Sequence, residues 1–288
     1  MQRGGIGAAF HRAESQKRGK TEMKNIRRIA AVLAFILCLA ALVSCGGSTP
    51  TVEEIKKRGT ITMATNASFP PFEFTDGVDE TGATKYVGID IEIIKEIAKD
   101  LGVNYEVMDM EFAGIIGAVQ TGKADLGIAG MSVTDERKKS VDFTVEYFTS
   151  QNVIVVPVSN TEINTAADVE GKIIAVQTGT TSDMFASSED FCPGATVQRY
   201  SSFIDAASAV KTGKADLMVV DIMTAAEILA QNDDLRQLEE PLADEAYAIA
   251  VQKGNTTLLE AVNSTLNRLI SEGKIGEYVE QYTAASEG

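Results

Sequence analysis

The chain has 288 residues, 44% of them hydrophobic and 23% charged, an ordinary globular composition with room for one large or two medium domains. Its formal net charge is −15, with 41 acidic against 26 basic residues and no basic patch interleaved with aromatics, which excludes nucleic acid and anionic lipid headgroups as expected partners. The one histidine, His11, precedes an N-terminal leader, so histidine triads, bases and metal ligands drop out, and no metal or cofactor is expected.

Residues 24–28 (KNIRR) are basic, and residues 29–43 (IAAVLAFILCLAALV) are a continuous apolar run. With small residues at its end, this is the pattern of a secretory signal, too short for a stable membrane span. The closing tetrad Leu42-Val43-Ser44-Cys45 resembles the bacterial lipobox, which implies cleavage after residue 44 and a lipid on Cys45. The alternatives are a simple signal anchor or an uncleaved helix. Met23, directly before the basic residues, is the expected start, with residues 1–22 an upstream extension. Residues 1–44 hold eight of the basic and two of the acidic residues, so the chain from Cys45 onward carries a net charge of −21. Cys38 lies in the leader, which leaves Cys192 alone and predicts no disulfide framework. In FCPG, Cys192 reads as a spectator rather than a nucleophile.

Residues 45–51 read as a tether and 52–58 (VEEIKKR) as a short helix stopped by Gly59. TITMAT (60–65) is a strand by its β-branched alternation. Pro70-Pro71 makes NASFPPFEF a shaped loop, and TDGVDETGATKY (75–86) reads as a hairpin. Ile89, Ile93, Ile94, Ile97 and Leu101 recur at helical steps and predict an amphipathic helix ending at Gly102. A strand (103–110), a helix (FAGIIGAVQTG) and a strand (ADLGIAG) follow. TDERKK opens a short helix with Thr134 as cap, and VDFTVEYF and QNVIVVPV are extended. A similar set then begins: a short helix in TAADVEG, strand KIIAVQ, a helix from TGTTSDMF, strand TVQRY, helix SFIDAASAVKTG, strand ADLMVVD and helix IMTAAEILAQN. LRQLEEP and AYAIAVQKG are extended, and two amphipathic helices close the chain. The alternation predicts an α/β fold with parallel-rich sheets covered on both faces.

One stretch is nearly said twice. Residues 118–126 read AVQTGKADL and residues 209–217 read AVKTGKADL. Each is a helix end, a glycine turn and a strand start. The repeat predicts duplicated architecture in two halves. The strand after the first copy is expected to lead to Arg137, and the strand after the second ends at Asp221. Ligands bind outside the carboxyl ends of strands in open α/β sheets, so a guanidinium and a carboxylate at two such ends suit a zwitterion.

Each of these residues also has a bland reading. The charge run around Arg137 fits a solvated helix face, and Asp221 fits an N-cap for the next helix. Phe69 and Phe112, on loops after strands, fit core packing as well as a ligand's aliphatic stem. Gln177, Thr178, Gly179, Thr180 and Thr181 join strand to helix, where N–H groups attract anions, but no phosphate-loop pattern is present.

Four stretches in order, ATNASFPPFEF, GIDIEIIKEIAKDLG, AGMSVTDERKKSVDFT and GKIIAVQTGTTS, resemble the polar amino-acid-binding proteins of ABC importers, bacterial extracellular solute-binding family 3. The resemblance covers about residues 55–284. It implies a two-lobed periplasmic-binding-protein type II fold, with mixed sheets flanked by helices and two hinge strands. Lobe 1 would be 52–147 plus 248–288, and lobe 2 would be 152–243. Arg137 would clamp a ligand α-carboxylate, helped by Thr180 and Thr181. Asp221, Ser132 and the carbonyl of Gly130 would take the α-ammonium. Phe69 and Phe112 would bracket the side chain, and Asn66, Ala129 and Gln177 would line the specificity end. A neutral Asn66 tilts toward an uncharged polar ligand such as glutamine or cystine.

The implied protein is no enzyme: a monomer, lipid-anchored at the membrane outside the cytoplasm, delivering a free L-amino acid to ABC permease subunits. The rival readings are a prephenate or arogenate dehydratase on the same fold, and the ligand-sensing module of a kinase or channel.

Overall fold

The computed structural model describes residues 50–283; the expected leader, Met23 and the lipidation site Cys45 lie outside the described residues. Among the described residues no helix is long and apolar enough to cross a membrane.

The chain builds α1 (Val52–Arg58), β1 (Thr60–Thr65), β2 (Ser68–Phe69), β3 (Glu73–Val78), β4 (Thr84–Val87), α2 (Ile89–Leu101) and β5 (Asn104–Asp109). A 3-10 turn (Phe112–Gly114) leads into α3 (Ile115–Gln120), then β6 (Leu126–Gly127), α4 (Asp135–Lys138) and β7 (Val141–Phe143). β8 (Phe148–Pro157) opens the second half, followed by a 3-10 turn (Ala166–Val169), β9 (Ile173–Gln177), α5 (Thr181–Ala186) and β10 (Thr196–Tyr200). Then come α6 (Phe203–Lys211), β11 (Leu217–Asp221), α7 (Ile222–Ala230), β12 (Leu235–Gln237), β13 (Ala243–Tyr247), β14 (Ala250–Gln252), α8 (Thr256–Ser271) and α9 (Lys274–Thr283).

Two mixed sheets carry the architecture. The first has the order β5-β1-β6-β14-β7, and the second β10-β9-β11-β8-β12 with β13 also on β8. β1 runs parallel to β5 and β6, whereas β14 runs antiparallel to β6 and β7. β9 runs parallel to β10 and β11, and β8 antiparallel to β11, β12 and β13. A small antiparallel sheet, β2-β3-β4, includes the expected hairpin. It also draws in part of the expected loop, since Ser68 and Phe69 pair with Phe74 and Glu73.

Burial explains the elements. α2 is rich in β-branched isoleucine, a poor helix former in isolation, yet Ile89, Ile93, Ile94 and Ile97 are fully buried against the first sheet. Gly102 terminates it in the left-handed conformation. In the second sheet, Val153 and Val155 pack toward α6 on one face while Ile154 and Val156 pack into a separate cluster on the other. Such a run is apolar at every position because both faces are covered. Cys192 is buried in that second cluster.

The near-repeat does the same job twice. Gly122 and Gly213 both turn at φ 70°, and Asp125 and Asp216 each accept the backbone N–H of a neighbouring strand, Thr62 at 2.7 Å and Ile173 at 2.8 Å. One expectation fails: the strand over ADLGIAG shortens to Leu126–Gly127. The cause is Gly130, whose φ of +49° bends the chain out of the sheet. The freed segment pairs with the crossing strand instead, through Ala248 N–H to Met131 O and Val133 N–H to Ala246 O, both at 3.1 Å.

Two segments join the halves side by side, residues 144–147 and 248–249, held by Thr144 N–H to Ile249 O at 3.0 Å and Tyr147 N–H to Tyr247 O at 2.9 Å.

Candidate functional site

A narrow cavity of about 20 Å³ lies between the two sheets, where loops after β1, β6, β9 and β11 converge. All eleven residues given a ligand role by the family resemblance line it, whereas Thr178 and Gly179 do not.

Arg137 reaches it from α4, a loop's length beyond β6 rather than at the strand end. Thr134 caps that helix by accepting the Arg137 N–H at 3.2 Å. The guanidinium is buried, so the solvated-face reading fails. It donates to Ser132 O at 2.6 Å and Gly179 O at 3.1 Å, and its centre stands 5.3 Å from the Phe112 ring centroid. Among the described residues it forms no ion pair. Burial lowers its pKa to about 10, partly offset by Glu245 and Tyr247, so the group stays charged at neutral pH.

Asp221, the last residue of β11, combines both of its readings. Its Oδ1 accepts the N–H groups of Met223 (2.8 Å) and Thr224 (3.3 Å), capping α7. Its Oδ2 accepts from the Tyr247 hydroxyl at 2.5 Å and lines the cavity. Burial raises its pKa, opposed by these donors.

Thr180 caps α5 by accepting Asp183 N–H at 3.2 Å and donates to Gln177 O at 2.8 Å. Thr181 accepts from Asn152 Nδ2 at 3.4 Å. The anion-attracting character expected of this helix start is partly used internally, because the Asp183 carboxylate accepts Gly179 N–H at 3.0 Å. Gln177 donates to Asn66 Oδ1 at 2.8 Å, tying β9 to the loop after β1. Asn66 in turn donates to Met110 O at 2.9 Å.

The aromatics serve two purposes. Phe69 stacks on Phe72 at 5.2 Å and tilts against Phe203 at 5.5 Å, so it is at once core and cavity wall. Gly130 passes so close that a Cβ there would lie 2.3 Å from the Phe69 ring. Ala129 and Ser132 flank this glycine on the same wall.

Sequence reasoning missed Glu73, Asn152, Ser182, Phe203 and Tyr247, which also line the cavity. Asn152 donates to Glu245 at 2.6 Å and accepts from Ser182 at 3.0 Å. Glu73 is fully buried with no hydrogen-bond partner on either carboxyl oxygen. Burial first, and the neighbouring Asp90 second, raise its pKa well above the ordinary 4.5. A charged residue after two prolines in PPFEF was its only trace in the sequence. Among the described residues no group of three or more histidine, cysteine or acidic side chains is placed to hold a metal ion.

The family described as bacterial extracellular solute-binding proteins, family 3, matches residues 61–285. The arginine-binding extracellular protein ArtP of Bacillus subtilis is 30% identical over 251 residues, covering 86% of this chain and 92% of that protein. The ABC transporter glutamine-binding protein GlnH of the same organism is 29% identical, covering 90% and 97%. An arginine-bound ArgBP from T. maritima, a Gly52Ala mutant, superposes with a TM-score of 0.70 at 43% identity, covering 76% of this chain and all of that one.

Proposed function

The chain belongs to the bacterial extracellular solute-binding proteins, family 3, and from that premise we propose that it captures a free amino acid by its α-carboxylate and α-ammonium and hands it to an ABC importer. The family and its named relatives are amino-acid-binding proteins rather than enzymes. The observation that carries the reading is Arg137. A buried guanidinium without an ion-pair partner in contact is costly, and a ligand carboxylate arriving in the cavity can supply one in bidentate form. Asp221, on the same cavity, supplies the opposite charge for the ammonium.

For the side chain, Glu73 favours a cation: it is a buried carboxyl without a donor on the cavity wall. Two of the relatives above are arginine proteins, so we take L-arginine as the first candidate. The second reading is glutamine, favoured by the Asn66–Gln177 amide pair, with cystine in the same neutral class. Calorimetric titration with L-arginine, L-glutamine and L-cystine separates them. Binding of one of these supports the reading. Silence from all three in a cooperatively folded sample opposes it.

The remaining parts of the reading are the moving units and the address. Lobe 1 comprises 52–147 plus 248–288, with the crossing segments 144–147 and 248–249 at its edge, and lobe 2 comprises 152–243, the two closing about residues 148–151 and 244–247 between them. Contacts such as Gln177–Asn66 and Arg137–Gly179 then belong to the closed form. Cleavage before Cys45 and lipid attachment there would tether a monomer to the membrane, in reach of its permease. Mass spectrometry of the membrane-extracted protein tests the lipid.

A further inference from the structure

Glu73 opens β3, and its carboxyl is fully buried on the cavity wall with neither oxygen bonded. The groups facing it come from four elements. Asp90 is at the start of α2, Thr65 at the end of β1, Asp109 at the end of β5, and Tyr147 lies in the first crossing segment. None is a cation. Asp90 is the neighbouring carboxyl that acts on Glu73 most strongly, and two carboxyls bond to each other only when one of them holds a proton.

The two carboxyls are not equivalent. Asp90 is fully buried but well supplied: Oδ2 accepts Gly130 N–H at 2.8 Å, and the Tyr147 hydroxyl donates to Oδ1 at 2.8 Å. Two carboxylates in one dry space do not both ionise. Donors stabilise the charge on Asp90, so the proton resides on Glu73. This division follows from the donors on Asp90 and their absence on Glu73, and burial raises the pKa of both groups.

We propose that Glu73 and Asp90 form a carboxyl pair sharing one proton, and that a cationic ligand side chain seats against Glu73 by expelling that proton to solvent. This rests on the reading above that the cavity takes an amino acid with a cationic side chain. The balance is simple: the Glu73 acid O–H bond breaks, one proton leaves, and the carboxylate pairs with the incoming guanidinium. No other bond changes. Arginine affinity therefore rises with pH, by up to about tenfold per unit while one proton is released. A neutral amide expels nothing, because the protonated Glu73 donates to its carbonyl.

The test is titration of the purified protein with L-arginine at neutral pH in phosphate and in Tris, whose ionisation enthalpies differ. The dependence of the observed heat on buffer counts protons. The expected result is release of about one proton by the natural protein, and of almost none by Glu73→Gln, which binds arginine more weakly. Infrared difference spectroscopy on the natural protein gives the same answer without a variant, as loss of a protonated carboxyl band when arginine binds. Arginine binding with no proton released and no band lost overturns the proposal. Failure of arginine to bind while glutamine binds overturns the cationic side-chain reading, and the proton linkage with it.

Discussion

Nη2 of Arg137 donates to the carbonyl oxygen of Gly179 at 3.1 Å, so the one buried guanidinium of the cavity already spans its two walls. Nη1 is fixed on Ser132 O, on its own side. The fork is thereby oriented before a ligand carboxylate arrives, which lowers the ordering cost of binding. Arg137→Lys keeps the charge and loses the fork. We expect amino-acid affinity to fall by about 1.5–3 kcal/mol, the worth of a hydrogen bond to a charged group, measured by calorimetry, with the cooperative melt retained.

Asp221 has two duties that one substitution separates. Asn is as good an N-cap as Asp, so Asp221→Asn should leave the start of α7 intact and change the melting temperature little. The charge facing a ligand ammonium disappears. Affinity for α-amino acids should drop at least tenfold. A large loss of stability instead would mean that the carboxylate serves α7 and Tyr247 alone.

The pH dependence of stability has a definite sign at Glu73. Its folded pKa lies above the ordinary 4.5, so the ligand-free folded state holds more protons than the unfolded chain above that pH. The stability contribution of the protonated group is complete below 4.5 and is lost as pH rises through the folded value. Glu73→Gln removes that loss. The melting temperature of the variant relative to the natural protein should climb as pH is raised from acid to neutral.

Gly130 carries a positive φ and the Phe69 ring sits where its Cβ would go. Gly130→Ala must move the ring or the chain, so we expect both a lower melting temperature and weakened binding. Gly59→Ala is the control. Its φ of +80° strains an alanine, but nothing lies within 4 Å, so it should cost about 1 kcal/mol and leave binding unchanged.

The sequence spoke clearly where periodicity and burial agree. The isoleucine spacing of α2 and the apolar runs of β8 and β11 are legible because each buried face demands its pattern. Arg137 and Asp221 stand out in the sequence through the duplicated AVxTGKADL stretch and the family resemblance, but Arg137 lies on α4 rather than at the end of β6. Gly130 ends β6 early, and no local pattern says which glycine takes a left-handed turn. Glu73, Asn152 and Tyr247 were missed for another reason. Their places depend on the two crossing segments and on the meeting of distant loops, which leave no periodic trace. Asn66 pointed toward a neutral ligand when taken alone; Glu73 on the same cavity points the other way.

The most direct test is a thermal-shift screen of the protein against the standard L-amino acids, each beside its decarboxylated amine. A ligand at a hundred times its dissociation constant stabilises by about 2.7 kcal/mol, an easily visible shift. The account predicts a clear shift with at least one amino acid, arginine first, and its loss with the matching amine, agmatine for arginine, which has no carboxylate for Arg137. Equal shifts with amino acid and amine, or none across the set in a protein that melts cooperatively, would contradict it.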